Sequence, residues 1–375
     1  TGERISNLGF GCMRFPVIDG DPKRIEERPS ETMVRTAIEG GVNYFDTAYV
    51  YHGGESERFL GRVLKQGGLR DRVFIATKIP TWMLEKDGDM DRFFDEQLER
   101  LQTDHIDMLM MHGLGTKNWA RAREHGAIEF MDRVVREGRV RYPGFSFHDT
   151  TDVLREIVDA YDWVFCMVQY NYLDVEHQAG TEGVKYAASR GLAVNVMEPL
   201  RGGHLVKTVP AEVRAIWDAA PVQRSPAEWA LRFVWDHPEI NVVLSGMSTL
   251  KQVEDNLRLA EHSAPNNLNP EERERIAQAR AAYEGRTRIQ CTDCGYCIPC
   301  PHGVAIPRNF SLYNEGHMYE DLASYARVYR DQLKPEERAD ACIECGECLE
   351  KCPQHLQIPD LLRRVAGGFA EAGGG

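Results

Sequence analysis

Between Leu8 and Ala260 the chain alternates short apolar runs with amphipathic stretches eight times over, and few folds accept that pattern. The strand-like runs are Leu8–Met13, Tyr44–Ala48, Val73–Thr77, Asp107–Met111, Tyr142–Phe147, Val164–Gln169, Ala193–Met197 and Asn241–Gly246. Helical patterns follow at Thr32–Glu39, Glu57–Lys65, Arg92–Leu101, Glu129–Arg136, Val153–Ala160, Gly183–Arg190, Ala227–Asp236 and Leu250–Ala260. Strict alternation implies parallel strands joined by crossover helices. Eight such units in about 250 residues predict a closed (β/α)8 barrel. An open doubly wound sheet would be expected to open its first helix on Gly-x-Gly-x-x-Gly, and the chain has no such run.

A different chemistry ends the chain. Eight of its ten cysteines lie in two runs, Cys291, Cys294, Cys297, Cys300-Pro301 and Cys342, Cys345, Cys348, Cys352-Pro353. The second has the spacing of the bacterial ferredoxin signature for a [4Fe–4S] cluster; the first is one residue short at its last gap. Disulfides suit small secreted domains rather than a chain of 375 residues. Zinc is the nearer rival, but its sites usually draw two cysteine pairs from separate segments. Where two clusters share such runs, the fourth cysteine of each serves the other cluster. One cluster is therefore expected on Cys291, Cys294, Cys297 and Cys352, and the other on Cys342, Cys345, Cys348 and Cys300. The short run leaves open one cluster alone, or two each held by its own run. The expected organisation is a barrel over 1–265, a linking helix over 266–288, a small α-helical ferredoxin-like domain over 289–366 and a flexible tail over 367–375.

Composition narrows the partners. A net charge of −13 without a basic cluster argues against nucleic acid. No apolar run approaches membrane-spanning length, and no charged-then-apolar leader precedes the first strand-like run, so the expected location is cytoplasmic.

Barrels of this kind carry their chemistry at the C-terminal ends of the strands. Those ends offer Asp46 and Tyr51 after the second strand, Lys78 at the end of the third and His112 at the end of the fourth. Singly, each is commonplace: an aspartate often caps a turn, and a tyrosine often packs. Together they suit carbonyl reduction. Tyr51 would donate a proton, Lys78 would lower its pKa, Asp46 would hold Lys78, and His112 would bond the substrate oxygen. Trp82 and Trp119 fall on neighbouring loops, where aromatics either line a pocket or anchor the loop; Arg14 and Arg201 also lie near strand ends, and Cys12 and Cys166 read as reduced barrel residues.

The stretch Tyr44-Phe-Asp-Thr-Ala-Tyr-Val-Tyr51, with Ser56-Glu57 and Leu60-Gly61 after it, resembles the aldo/keto reductase signature. Lys78 in Ala76-Thr-Lys78 and His112 after Asp107-Met-Leu-Met-Met match that family's other catalytic positions, and the likeness covers about residues 4–262. The resemblance implies NAD(P)H-dependent reduction of an aldehyde or ketone, or the reverse alcohol oxidation. It implies that Ser146 and Gln169 hold the carboxamide, that Met197 and the run Glu198-Pro-Leu200-Arg-Gly202-Gly203 border the cofactor, and that Gly246, Ser248, Gln252 and Asn256 meet its adenosine end. Three positions depart from the pattern. Ser146-Phe147-His148 replaces Ser-Asn, Met197 stands where an aromatic usually stacks on the nicotinamide, and the strand-eight loop lacks the basic residues that hold a 2′-phosphate, leaving Lys251 or Lys207 to serve.

A nicotinamide gives two electrons together and a cluster takes one, so electron exchange between the halves calls for a flavin, for which the chain has no motif. A barrel mouth without the stacking aromatic could still accept a flavin, so the clusters are either structural, or feed or drain electrons at the barrel site, or link to a partner redox protein. Two other readings stay open: an electron-transfer subunit of a larger assembly, and a nucleotide- or redox-sensing regulator.

Overall fold

The computed structural model describes residues 2–291, 295–352 and 354–373. Eight parallel strands form one closed barrel in chain order: β1 (Leu8–Gly11), β2 (Tyr44–Asp46), β3 (Phe74–Pro80), β4 (Ile106–Leu114), β5 (Val140–Phe147), β6 (Phe165–Gln169), β7 (Ala193–Met197) and β8 (Ile240–Ser245). β8 pairs back onto β1, with Leu8 opposite Val243. Each strand falls on an expected run. The β3–β4 ladder continues from Ala76 opposite Met108 through Pro80 opposite His112. Lys78 and His112 therefore lie inside their strands and not at the ends, as the apolar runs suggested.

Alternation along each strand separates two cores. Tyr44, Ala76, Met108, Met110, Phe165, Met167 and Val242 pack together as one, and Phe45, Ile75, Leu109, Cys166, Val168 and Val243 join the helices in the other. Gly61, in the helix Glu55–Gln66, shows why the signature carries glycine there. A Cβ would lie 2.6 Å from the backbone of Leu101, so any side chain would force the second and third helices apart.

The eight expected helices are present; among the described residues up to Ala260 there are also a short one, His204–Lys207, and two longer ones that were not anticipated, Thr116–Glu124 and Ala211–Asp218. Both carry several charged side chains, and neither has the long apolar stripe that periodicity detects.

The chain divides into two compact units, 1–202 with 227–270, and 203–226 with 271–375. The segment after β7, expected within the barrel, thus groups with the C-terminal part. Arg286 pairs with Glu212, Arg224 lies 2.7 Å from Glu272, and the His204 ring stacks on Tyr319 at 4.9 Å. The linking helix runs Pro270–Glu284, and helices Ile306–Met318, Leu322–Gln332 and Ile358–Gly373 build the rest of this unit.

Of the expected flexible tail, residues 367–373 continue a helix, and 374–375 lie outside the described residues. Helix Ile358–Gly373 carries Leu362, Val365 and Phe369 on one buried face, with Phe369 against Tyr313 and Tyr329. Gly368 sits so close to Tyr313 that a Cβ would meet the ring at 2.7 Å, so here glycine permits packing. Among the described residues no helix is long and apolar enough to cross a membrane.

Candidate active site

The end of β2 and the turn after it fix the centre of the site. Asp46 closes β2, and the chain then enters a tight turn, Tyr51–Gly54, in which His52, Gly53 and Gly54 all have positive φ. His52 is the costly member, since a side chain disfavours that region. It is held by its Nδ1, 2.7 Å from the Pro22 carbonyl oxygen.

Lys78 is 1% exposed and its ammonium donates at 2.7 Å to Asp46 Oδ1, at 2.7 Å to the Thr47 carbonyl and at 3.3 Å to the Tyr51 hydroxyl. The same nitrogen lies 4.6 Å from the centre of the Tyr51 ring. His112 meets the Tyr51 ring edge-on at 6.1 Å and the Trp82 ring at 4.8 Å. The four side chains expected from strand ends thus come together in one place.

Electrostatics sharpen their roles. Burial would strip Lys78 of its proton, but the Asp46 carboxylate and Tyr51 more than offset it, and the pKa moves up. At Tyr51 the expected pull of Lys78 is present but is outweighed. Burial raises its pKa above the ordinary value of 10, and Lys78 only pulls part of that back. The phenol therefore stays protonated, as a proton donor must. His112 is held well below its ordinary 6.5 by burial, then by Lys78 and His148, and is neutral at physiological pH. Asp46 Oδ2 and His112 Nδ1 are buried without a hydrogen-bond partner among the described residues, as polar groups awaiting a ligand would be.

A second buried network lies behind Lys78. Glu57 is fully buried; its Oε1 accepts from Thr77 Oγ1 at 2.6 Å and Gln97 Nε2 at 2.9 Å, and its Oε2 lies 3.2 Å from Arg100. Gln97 also donates to the Lys78 carbonyl at 3.1 Å. Glu57→Ala would take the buried acceptor from Thr77 and Gln97 and one of the partners of Arg100, which keeps Glu96 and the Tyr49 carbonyl, and should cost about 3 kcal/mol of stability, a fall of several degrees in Tm. Thermal unfolding checks this, and an unchanged Tm would remove the network from the scaffold.

The expected cofactor residues form two groups. Ser146 Oγ accepts from Gly113 N–H at 2.8 Å, which leaves its own O–H free to donate. Gln169 closes β6 opposite Met197, and its Nε2 donates to Asp174 at 2.8 Å. Met197 packs toward the Tyr44–Met167 core and Leu200 toward the outer one; Glu198 and Arg201 adopt positive φ beside Gly202. At β8, Ser248 N–H donates to Gln252 Oε1 at 2.7 Å, Asn256 donates to Ser245 at 3.0 Å, and Gly246 lies against the Arg14 side chain. Lys251 is already paired with Asp255 at 2.9 Å. Trp119 is buried, with its Nε1 on Glu156, and so anchors its helix, whereas Trp82 is exposed beside His112. Cys12 and Cys166 are free and buried, and burial pushes the Cys166 thiol up to about 12.

The family model for aldo/keto reductases matches residues 7–280. The chain belongs to the aldo/keto reductase family. As an aldo/keto reductase it is an oxidoreductase, and residues 290–356 match a 4Fe-4S dicluster domain, so the barrel is followed by an iron–sulfur module. It is 28% identical to an L-galactose dehydrogenase of Arabidopsis thaliana over 279 residues, 68% of this chain and 85% of that one. The holo form of an aldo-keto reductase from Bacillus halodurans superposes with a TM-score of 0.61 at 28% identity, over 73% of this chain and 92% of that one. An NADPH complex of an aldo-keto reductase from Klebsiella pneumoniae shares the fold, at 22% identity and a TM-score of 0.59, over 73% of this chain and 90% of that one.

In this aldo/keto reductase the cysteines surround two hollows. One is lined by Cys300 together with Cys342, Cys345 and Cys348. The other is lined by Cys291 and Cys352, and Cys297 borders both. Cys294 lies outside the described residues. Burial, and then the neighbouring thiols of Cys342, Cys345 and Cys300, push the Cys348 thiol up. Among the described residues no three His, Cys, Asp or Glu side chains gather around a single ion position. The lining thiols of Cys300, Cys342, Cys345 and Cys348 are the donor set that a [4Fe–4S] cluster takes.

Proposed function

We propose that the protein is an NAD(P)H-dependent carbonyl reductase, working also in the alcohol-oxidising direction, whose acid–base centre is Asp46, Tyr51, Lys78 and His112. The observation that carries this reading is the buried Lys78 ammonium touching both Asp46 and the Tyr51 hydroxyl. When bound, the nicotinamide supplies a hydride, two electrons and a hydrogen, to the carbonyl carbon. Tyr51 gives its proton to the carbonyl oxygen as charge gathers there, and Lys78 at 3.3 Å steadies the phenolate that remains. Neutral His112 bonds the same oxygen and orients it. Ser146 donates to the carboxamide oxygen and Gln169 accepts from its nitrogen. Gly246, Ser248, Gln252 and Asn256 form the adenosine end, with Glu198, Leu200 and Gly202 on the facing loop and Met197 beside the ring. NADP is favoured over NAD, and Lys251 would leave Asp255 to meet a 2′-phosphate.

Cys291, Cys294, Cys297 and Cys352 would hold one [4Fe–4S] cluster, and Cys342, Cys345, Cys348 and Cys300 the other; the clusters supply one electron at a time. Exposed Cys345 favours exchange with a partner redox protein over a purely structural role. Buried free thiols and thiolate ligands fit a reducing cytoplasm. The domain reading is a barrel to about residue 265 and a cluster module from 289, with 203–226 counted with the latter.

Anaerobic titration of the intact protein with NADPH and NADH, followed by addition of an aldehyde, tests the whole reading. Nucleotide oxidation that depends on the aldehyde is expected, and absence of both binding and turnover would overturn it. The pH profile of kcat/KM for reduction is a second test. Tyr51 must carry its proton, so activity falls only as pH climbs past its raised pKa. His112 must be neutral, so activity falls only as pH drops through its lowered one. A plateau from about pH 7 to about pH 9 follows, and a limb inside that window would assign the proton to another group.

A further inference from the structure

Gln169 does not choose its own orientation. Its amide can present either oxygen or nitrogen to the barrel mouth, and the two choices have opposite hydrogen-bonding character. In the structure Nε2 is committed to Asp174 Oδ2 at 2.8 Å. Asn171 Nδ2 donates to the same oxygen at 2.8 Å, and Arg201 Nε lies 3.3 Å from it. Asp174 is 6% exposed, and as a carboxylate it can only accept. A carboxylate at this position therefore fixes which end of the Gln169 amide faces it, and leaves Oε1 as the free end.

Asp174 also gathers the loops after β6 and β7. Asn171 Nδ2 reaches the Glu198 carbonyl at 3.3 Å, and its Oδ1 accepts from Leu173 and Asp174 N–H groups at 3.0 and 3.1 Å. Glu198 and Arg201 have φ of 56° and 48°, a left-handed geometry that side chains resist and that surrounding contacts must hold. The carboxylate thus ties the end of β6 to the loop after β7 through Gln169, Asn171 and Arg201.

We propose that Asp174 is a positioning residue that sets the polarity of the carboxamide site: by taking Gln169 Nε2 it presents Oε1 to the carboxamide N–H of a bound nicotinamide. The inference rests on the nucleotide reading above and adds a residue to it. Ser146 and Gln169 then form a complementary pair, a hydroxyl donor for the carboxamide oxygen and an amide acceptor for its nitrogen. Asparagine at 174 would offer Gln169 either a donor or an acceptor, and the amide would lose its fixed sense.

The test compares NADP⁺ with 3-acetylpyridine adenine dinucleotide phosphate, whose acetyl group has the oxygen but no N–H. Dissociation constants are measured by fluorescence quenching on the intact cluster-loaded protein. The wild type should bind the analogue about tenfold more weakly, the effect of one hydrogen bond lost to a buried acceptor. In Asp174→Asn that ratio should fall toward one. A merely structural role would weaken both ligands by the same factor and keep the ratio, which overturns the proposal. A wild type that binds NADP⁺ without discriminating overturns it too. A wild type that binds neither nucleotide overturns instead the functional reading beneath it. The inverted pair Gln169→Glu with Asp174→Asn keeps the net charge and again leaves an acceptor facing the mouth, so it should restore the tenfold ratio. It also serves if Asp174→Asn alone does not fold; a ratio near one in the inverted pair would show that the acceptor at 169 does not meet the carboxamide N–H, which overturns the proposal.

Discussion

Tyr51→Phe should lower kcat for carbonyl reduction by about 10³, within the 10²–10⁴ that a positioned acid contributes, while the nucleotide dissociation constant moves by less than about twofold. The substitution removes one oxygen and leaves the ring in place. The ring's contacts with Lys78 at 4.6 Å and His112 at 6.1 Å do not need the hydroxyl, so the site should keep its shape. What is lost is the proton that must reach the substrate oxygen. The structure makes a substitute donor hard to find. His112 is neutral and held well below its ordinary pKa, and the Lys78 ammonium is committed to Asp46 and Thr47 at 2.7 Å each. Single-turnover oxidation of bound NADPH by an aldehyde measures the step directly. A rate within tenfold of wild type would show that the proton comes from elsewhere, and Tyr51 would become a packing residue of the mouth.

The division between what the residues announce and what they conceal has physical causes. β/α alternation is a period written into every strand and helix, so the barrel and its order were legible. The four reactive side chains were legible because strand ends face one small volume, although Lys78 and His112 proved to lie two residues inside their strands. The direction of the Tyr51 shift was not legible. It is a balance between burial and one ammonium, and burial appears only when the chain is folded. Asp174 was missed for a related reason. It lies five residues past Gln169 in a loop, and nothing in the run Gln169-Tyr-Asn-Tyr-Leu-Asp174 says that its carboxylate folds back onto the amide. The excursion 203–226 was hidden because its helix has little apolar face, and its ties to the C-terminal unit are ion pairs and ring contacts between distant positions. The tail was misread because glycine signals looseness in sequence, while Gly368 in place lets a helix approach a tyrosine ring.

The cysteine spacing alone could not decide whether each run holds its own cluster, and the two hollows favour crossing. Cys300, from the first run, shares one hollow with Cys342, Cys345 and Cys348, while Cys352, from the second, shares the other with Cys291, and Cys297 borders both. Crossed ligation makes a prediction that own-run ligation reverses. With four irons per cluster, Cys300→Ala should take the anaerobically purified protein from about eight irons per chain to about four. Adding Cys342→Ala should cost no further iron, because both thiols serve the cluster already lost. Adding Cys291→Ala should remove most of the remainder, because that thiol serves the other. If each run held its own cluster, the Cys300–Cys291 pair would be the redundant one and the Cys300–Cys342 pair would empty both sites. Alanine suits the comparison better than serine, whose oxygen can still reach iron. Iron and sulfide content, with the low-temperature EPR of the dithionite-reduced forms, distinguish the two patterns. Crossed ligation would tie the two cysteine runs together through iron, so loss of either cluster should loosen the second unit while the barrel, with its own core, keeps its unfolding transition.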